Sequence, residues 1–511
     1  MHSRNILILL VVLLIAGVGS LFLGSAVASS DFNTIGIFIG GTLAISLYIL
    51  LGRNIWILIP IFAVWQGNIQ VLPIPFSVNN LMVGFAVFCW IINILTRRES
   101  LRYNFTALDG VIGVMIIVLI IGYVRNPVSL SILGGSSAGA RPYFEIGMAL
   151  MAYVMLSSTR IDKAWINRVP YITVVLCVVL AVGGAIAYFL PNIGLYLYRI
   201  YTGFMPNMRE LDTSGQSVGL EVTRAGYLNP LAMTIVAILY ASRAPLANLS
   251  PRNPLRIVAL GIALLCTLLS GFRGVLGAQA AYFTIASWVW WRGKGFVLTA
   301  VLATGTILCV FVISMIFELP LGVQRSLSFL PGDWDQQLVA NTETSNDFRL
   351  DLWQRAWYEG GIEDVWLGDG FRVPVRELEY QQAQMAAGYV KAEAKITYYL
   401  ITGDLHSGPL STIKYIGVVG LFVFMILCIT IAYRAYKLWN YAIRNNSDLM
   451  IGYFVLPMIY FPVLYIFVFG SFRVDLPRVL VSAGLLVLLT NVIKDMQSSK
   501  LEKEPEIGTD D

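Results

Sequence analysis

Arginines beside apolar segments are the side chains with the clearest chemistry in this sequence. Arg273 lies in SGFRGVLGA, between two apolar segments, with Gly271 and Gly274 close by. A guanidinium presents a planar fork of donors that matches phosphate oxygens, and small neighbours let a ligand approach closely. An arginine at the centre of a bilayer costs about 2.5 to 3.5 kcal/mol on insertion scales. Arg273 is therefore either a phosphate-binding residue or an arginine whose side chain extends to the lipid headgroups.

Three further arginines are predicted to lie on the same side of the membrane as Arg273. Arg141 occurs in GARPYFE, Arg224 in EVTRAGYLNPLAM and Arg349 in NDFRLDLWQRAW. Each could by itself be an interfacial anchor. Together with Arg273, these arginines are more numerous than the positive-inside rule predicts for the outer side of the membrane. We therefore expect them to converge on an anionic site.

His406, in GDLHSGPLS, is the one histidine away from the N-terminus. With an unperturbed pKa near 6.5, a histidine can accept a proton from a hydroxyl group at neutral pH. It is therefore the candidate catalytic base, the alternative being a capping or interfacial histidine. Asp369, Glu393 and Asp404 could orient it or act as the base themselves.

Metal chemistry has little support in the sequence. There is no HExxH, no CxxC pair and no serine nucleophile elbow. Asp333 and Asp335 could hold a divalent cation, but the short match is better explained by two solvated acids in a Pro-Gly turn. All five cysteines lie in apolar segments, which indicates buried thiols. We expect no metal site and no cofactor.

The amino-acid composition indicates that these residues belong to a protein surrounded largely by membrane lipid. Hydrophobic residues make up 57% of the chain and charged residues 13%, against about 25% charged in soluble domains. Apolar segments of about 17 to 25 residues recur along the chain, long enough to cross roughly 30 Å of hydrocarbon. The net charge of +5 resides mostly in short loops. The expected partners are therefore membrane lipids and not nucleic acid.

The apolar segments predict an all-α polytopic membrane protein with about fourteen transmembrane helices. The expected spans are 6–28, 35–51, 55–72, 78–95, 108–124, 143–156, 169–190, 226–241, 255–269, 275–291, 296–317, 410–431, 451–469 and 476–493. The first could instead be a cleaved signal peptide, but its length and the spans that follow favour an uncleaved helix.

Basic residues in short loops predict the orientation. With the N-terminus inside, the inner loops and the end of the chain hold Arg53, Arg97, Arg98, Arg102, Arg160, Lys163, Arg168, Arg243, Arg252, Arg256, Arg292, Lys294, Arg434, Lys437, Arg444, Lys494, Lys500 and Lys503. The positive-inside rule places these residues in the cytoplasm of a bacterial cell with an inner membrane. Both termini are then cytoplasmic.

Three outward segments, 125–142, 191–225 and 318–409, are too long to be turns. The last is predicted to form a large helical periplasmic loop, with an amphipathic helix over 376–401. The expected units are a transmembrane scaffold (1–225), helices with the arginine motif (226–317), the loop (318–409), C-terminal transmembrane helices (410–493) and a cytoplasmic tail (494–511). No fixed-period repeat or Gly-rich phosphate loop is present, which argues against an ATP-driven transporter.

The order of motifs resembles the O-antigen ligase and O-antigen polymerase superfamily of bacterial membrane glycosyltransferases. The similar segments are RAGYLNPLAM from Arg224, SGFRGVLGA around Arg273, FRLDLWQRAWYEGGIEDVWLGDGF from Phe348 and LHSGPLSTIKYIGVVGL from Leu405. They span the second half of the chain in the order of the family's arginine, Arg-x-x-x-Trp and histidine motifs.

The resemblance implies transfer of a glycan from a polyprenyl-diphosphate-linked donor to a hydroxyl group of a glycan or lipid acceptor at the periplasmic face. Arg224, Arg273 and Arg349 would then bind the diphosphate, and His406 would be the base. Arg141 joins the expected diphosphate-binding residues because it lies at an equivalent outer boundary. The larger span count favours polymerisation of a surface or exported polysaccharide. The alternatives are ligase-type attachment of a finished glycan to a lipid or protein, and a lipid-linked glycan transporter that makes no bond.

Overall fold

Helices form the regular secondary structure of the described residues, which confirms the all-α class. The computed structural model describes residues 24, 32–70, 76–98, 100–128, 140–204, 225–373, 378, 380, 392–447 and 449–501. Within these ranges, strand-type pairing is limited to the isolated bridges Asn68–Ser77 and Ile69–Tyr201.

The first half of the described chain contains eight α-helices. These are α1 (Phe32–Leu51), α2 (Leu58–Phe62), α3 (Val78–Leu95), α4 (Ala107–Arg125), α5 (Arg141–Ser158), α6 (Ala164–Phe189), α7 (Pro191–Ile200) and α8 (Asn229–Ser242). The second half continues with α9 (Pro254–Leu269), α10 (Arg273–Trp291), α11 (Gly293–Ile316), α12 (Leu321–Leu327), α13 (Gln336–Tyr358), α14 (Ala392–Thr402), α15 (Gly408–Arg444), α16 (Ile451–Phe467) and α17 (Phe472–Leu501).

Seven helical stretches of the described chain are long and apolar enough to cross a membrane. They are Gly40–Phe62, Val78–Leu95, Ala107–Arg125, Ala164–Phe189, Gly293–Ile316, Gly408–Arg444 and Phe472–Ser498. Three apolar helices are shorter, namely Gly226–Ser242, Pro254–Leu269 and Ile451–Phe467. Of the expected span 6–28, only Gly24 lies within the described residues.

Contacts between helix ends show that consecutive long helices run in alternating directions. The guanidinium of Arg53 donates to Arg98 O (2.7 Å) and Asn79 N donates to Trp65 O (3.1 Å), so residues 53–65 run antiparallel to α3. The boundary between the predicted spans 35–51 and 55–72 falls at Gly52, where φ is +50°, inside the single helical stretch Gly40–Phe62. The helix ends at Phe62, before the predicted end of the second span.

The alternation gives the bundle two ends. The basic end comprises the described parts of the connections near Gly52, 96–106, 159–163, 243–253, Arg292 and 445–450. The loop end comprises the described parts of 63–77, 126–140, 190–228, 270–272, 317–407 and 468–471. Met450 N bonds to Asn167 Oδ1 (2.8 Å) at the basic end, and Arg125 bonds to Asp364 (2.5 Å) at the loop end.

The depth of each helix in the bundle follows from how much of it the protein buries. In the apolar part of α17, 67% of the residues are buried by the rest of the protein, whereas in the apolar part of α11 0% are buried. Helix α17 packs against α5, where Gly484 lies against the backbone of Tyr153. Helix α17 therefore belongs to the centre of the bundle, and α11 exposes its apolar side chains to the surroundings.

The large loop contains α12, α13 and the described part of a longer predicted helix. The helix expected over 376–401 is described from Ala392 to Thr402, as α14. Helices α13 and α14 share a small hydrophobic cluster of Leu352, Ala356, Ile396 and Leu405. This cluster fixes the chain immediately before His406.

Candidate functional site

Arg273 is the first residue of α10 and follows the turn between α9 and α10 at the loop end. The turn passes through Gly271, whose φ is +71°. Helix α12 holds it in place, because Ser326 Oγ donates to Leu268 O (3.0 Å). A Cβ atom on Gly271 would lie 3.8 Å from Cδ of Arg325, so a second arginine lies beside the same turn.

His406 lies in the bend between α14 and α15, with a φ of +53° that is uncommon for a residue other than glycine. Its ring centroid is 4.7 Å from that of Tyr399 and 5.4 Å from that of Phe469. Helix α10 reaches the same segment, since a Cβ atom on Gly274 would lie 4.0 Å from Val468. The segment 468–469 therefore lies beside both the histidine and the first turn of α10.

Arg349 lies on α13 and is half-buried. Trp353, one turn later on the same face, donates its indole N–H to Leu405 O (2.8 Å). The Arg-x-x-x-Trp segment thus positions the bend that carries His406. Arg224 lies outside the described residues.

Asp369 has a structural role that makes it a poor candidate for the catalytic base. Its carboxylate accepts hydrogen bonds from Lys414 Nζ (2.8 Å), from Asp364 N (2.8 Å) and from Glu363 N (3.1 Å for each oxygen). The Lys414–Asp369 ion pair is largely buried, with side-chain exposures of 16% and 11%. A carboxylate bound in this way fixes the 362–371 segment against α15 and is not open to a substrate hydroxyl.

Asp404 lies two residues before His406 and remains a candidate base. Its Oδ1 atom is buried and accepts no hydrogen bond from any residue in the described ranges. Burial raises the pKa of the neighbouring Tyr399 phenol, and the charge of Asp404 raises that pKa further. Since Tyr399 also contacts His406, Asp404 belongs to the same site. The side chain of Glu393 lies outside the described part.

A cavity of about 660 Å³ opens at the loop end, within the roughly 300–1,000 Å³ range of small-molecule sites. Its inner wall is apolar and includes Met148, Met233, Ala237, Ile431, Phe454, Met458 and Leu485. Its mouth is polar and includes Asn68, Asn80, Arg141, Glu145, Arg473, Asp475 and Arg478. Three arginines against two acids give the mouth a net positive charge. Arg273, Arg349 and His406 are not among the lining residues.

Arg141 is held rigidly at this mouth. The residue is 4% exposed, and its Nε donates to Glu145 Oε1 (3.0 Å), one turn later on α5. Asn80 Nδ2 donates to the same oxygen (3.1 Å), and the guanidinium carbon lies 5.2 Å from the ring centroid of Phe76. Removing one partner of a buried ion pair costs about 3–5 kcal/mol, because the other charge is left buried and unpaired, so Arg141 and Glu145 depend on each other.

Arg478 forms the second polar network of the mouth. Its Nη1 donates to Asp475 Oδ1 (3.2 Å) and its Nη2 to Gln66 Oε1 (2.7 Å), which links α17 to the segment after α2. Asp475 Oδ2 accepts from Ser471 N (2.9 Å) and so satisfies a backbone donor at the start of α17. The carboxylate therefore fixes both the helix end and the arginine.

One short segment connects the cavity to the histidine bend. Phe469 contacts His406, and Arg473, four residues later, lines the cavity. Four residues of extended chain span at most about 14 Å. The histidine and the cationic mouth therefore lie close enough for one large substrate to contact both.

The acids and thiols elsewhere do not form a metal-binding group in the described ranges. Asp333 and Asp335 are exposed, and within those ranges no cluster of three or more His, Cys, Asp or Glu side chains occurs. Cys89, Cys177 and Cys428 are buried as predicted, whereas Cys309 on α11 is exposed, contrary to the prediction. The reason is that α11 lies at the outside of the bundle.

No protein-family model matches the chain, and no curated protein matches it. The resemblance to the O-antigen ligase and polymerase superfamily therefore stays a prediction.

Sequence reasoning did not select Arg473, Asp475 or Arg478, or Glu145 at the opposite side of the mouth. A signal was present, because Arg478 lies inside the predicted span 476–493 and Glu145 inside the predicted span 143–156. Ionisable residues within apolar segments are rare and often functional. Their convergence on one cavity depends on which helix faces meet, and that is not visible in the sequence.

Proposed function

We propose that this chain is a membrane glycosyltransferase that uses a polyprenyl-diphosphate-linked glycan donor and polymerises a surface or exported polysaccharide. The observation that carries the proposal is the apolar cavity with three arginines at its mouth. An isoprenoid chain is apolar and a diphosphate is anionic, so the two zones of the site match the two parts of one molecule. The acceptor is a hydroxyl group of a second glycan.

The proposed topology has fourteen spans, including 6–28, with both termini in the cytoplasm of a bacterial cell and the large loop in the periplasm. The division of helix ends into two sets supports it, because the short connections of the basic end hold Arg53, Arg97, Arg98, Arg160 and Lys163. A density of positive charge in short loops is typical of the cytoplasmic face of an inner membrane.

In the proposed reaction, the histidine bend accepts a proton and the cationic mouth of the cavity binds the diphosphate. The acceptor oxygen attacks the anomeric carbon, the bond from that carbon to the diphosphate oxygen breaks, and the acceptor proton passes to His406. The leaving diphosphate gains negative charge, which arginines stabilise. Arg141, Arg473 and Arg478 are the cavity residues for this role, and Arg273 lies beside the segment that joins the cavity to His406. Arg224 and Arg349 remain predicted ligands of the same diphosphate.

A ligase that attaches the finished glycan to a lipid or protein would need the same site. A transporter of lipid-linked glycan is the second candidate, and the irregular helices favour it. Helix α15 is broken at Gly417, and α16 contains Pro462 and Pro457, of which Pro457 lines the cavity. Discontinuous helices around a midplane cavity are typical of secondary transporters.

The lipid-linked glycans of a strain that lacks the gene distinguish the three functions. Accumulation of single repeat units on the lipid indicates a polymerase. Accumulation of long lipid-linked chains indicates a ligase. Repeat units confined to the cytoplasmic leaflet indicate a transporter.

Arg473 tests whether the cavity binds the diphosphate. We expect Arg473→Ala to weaken binding of the lipid-linked donor at least ten-fold in nanodiscs and to abolish polymer formation in cells. The reason is that charge-assisted hydrogen bonds from the guanidinium to the diphosphate are lost. Arg473→Lys should restore binding only partly, since a lysine lacks the fork. Arg199→Ala, at an exposed loop-end arginine on α7, is the control and should leave binding unchanged. Unchanged donor binding in Arg473→Ala would refute the cavity assignment.

A further inference from the structure

A second large concavity lies at the opposite end of the bundle, away from the proposed reaction. It is a groove of about 730 Å³ between the start of α4, the last three turns of α15 and the second half of α17. Four cationic side chains line it, from Arg434, Lys437, Arg444 and Lys494. None of the described residues that line it is an acid.

Helix geometry brings these cations to one place. Arg434, Lys437 and Arg444 lie at positions i, i+3 and i+10 of α15 and so share one face. Lys494, on α17, lines the same groove across from these three residues. In the described ranges none of the four forms an ion pair with an acid. The like charges repel one another, and an anion in the groove would relieve that repulsion.

The usual reasons for basic residues at helix ends explain only part of this cluster. A cation in the last turn of a helix interacts favourably with the helix dipole, and Arg444 occupies that turn. Arg434 and Lys437 lie two to three turns earlier, beyond the reach of that effect. The positive-inside rule accounts for the number of charges at this end but not for their assembly around one groove.

The groove also has an apolar surface. Leu438, Leu486 and Val487 form a buried floor, and Phe105 at the rim is 88% exposed. A soluble anion would leave this phenylalanine in water. An anion that carries hydrocarbon would cover it, with a gain of about 25 cal/mol for each Å² of apolar surface removed from water.

We propose that this groove binds an anionic phospholipid of the leaflet at the basic end, most tightly one that carries two phosphates. The cations of α15 extend over ten residues, or about 15 Å along the helix, which is more than a single phosphate can contact. The acidic tail at 502–511 is a poor match for the groove, because Ile507 is its one large apolar side chain. The site is independent of the proposed glycosyl transfer.

The test uses the full-length protein in nanodiscs. Native mass spectrometry measures the lipid that stays bound after the protein is released from the nanodisc. Nanodiscs contain phosphatidylcholine alone, or with one-tenth phosphatidylglycerol or cardiolipin. We expect cardiolipin to be retained more than phosphatidylglycerol, and both more than phosphatidylcholine. Lys437→Gln with Lys494→Gln should weaken cardiolipin binding about 30-fold, since each lysine near a charged surface contributes about a factor of five.

The matched control is Lys163→Gln with Lys294→Gln, which removes two exposed positive charges at the same end but outside the groove. It should retain wild-type selectivity. An equal loss in both pairs would mean a diffuse surface potential and would overturn the proposal. So would displacement of cardiolipin by soluble pyrophosphate at equal concentration, or selectivity that develops only after residues 502–511 are removed. Equal melting temperatures in phosphatidylcholine nanodiscs verify that the variants fold.

Discussion

Arg141 and Arg478 illustrate how single guanidinium groups are held in fixed positions at the mouth of the cavity. Each guanidinium is bonded to a carboxylate on its own helix, Glu145 or Asp475, and each also contacts a second element of the bundle. A side chain that is ordered in advance loses less rotational freedom when a ligand binds. The two acids therefore lower the net charge of the mouth, but they fix the direction of its donors.

His406 is the residue on which the proposed proton transfer depends. We expect His406→Ala to reduce glycan transfer by roughly 10² to 10⁴, the usual contribution of general acid–base catalysis, with donor affinity close to wild type. Affinity should persist because the arginines bind the diphosphate without the imidazole. The measurement is donor affinity and turnover on the same purified variant.

Asp404→Asn serves as the companion variant, because it keeps the shape of the side chain and removes its charge. If the acid orients the histidine, the variant should shift the pH profile of turnover and keep donor affinity. Loss of donor affinity in His406→Ala would instead make the histidine a ligand or a structural cap. Unchanged turnover in His406→Ala would leave Asp404 and Glu393 as the candidates for the base.

At the scale of elements, the break in α15 is stabilised by a distant loop. Gly417 has a φ of +70° and interrupts the helix. Val418 N donates to Val365 O (2.8 Å), and Gly370 N donates to Tyr415 O (3.0 Å), so the 362–371 segment satisfies backbone groups at the interruption. The large loop is thereby attached to the transmembrane bundle next to the bend that carries His406.

Gly417→Ala tests this attachment. A methyl group there would overlap the carbonyl group of Trp366, and the positive φ alone costs a residue with a side chain about 1–3 kcal/mol. We expect a lower melting temperature and faster proteolysis of the large loop. Gly277→Ala is the control, because its Cβ would meet no atom within 4 Å on helix α10 and should be neutral or slightly stabilising. Equal stability of the two variants would show that the loop does not depend on the break.

This attachment shows what the sequence could and could not predict about the site. The segments LGDGF and IGVVGL were recognised as motifs, but their physical role depends on the meeting of Gly368 with Gly417, 49 positions apart in the chain. Likewise, the role of Asp369 could not be assigned until Lys414 was located beside it. Residue types and local spacing identified the candidates, whereas tertiary contacts separated structural acids from possible bases.

For the whole molecule, hydropathy predicted the class and most helix positions because a bilayer requires long apolar helices whatever their neighbours are. It did not predict the cavity. That feature depends on which faces of α3, α5, α16 and α17 meet, and transmembrane helices that are apolar on all sides carry little information about this. The charged residues inside the apolar segments were the remaining signal.

The orientation of the whole molecule is the last prediction. Single cysteines are introduced at Asn346 on α13 of the large loop and at Asn445 between α15 and α16, both exposed, in a background without the five native cysteines. We expect an impermeant thiol reagent added to spheroplasts to label position 346 and to leave position 445 unlabelled until the cells are lysed. The reason is that Asn445 belongs to the basic end, where positive charge resists translocation. Labelling of position 445 alone would reverse the orientation and would place the cavity mouth and His406 in the cytoplasm.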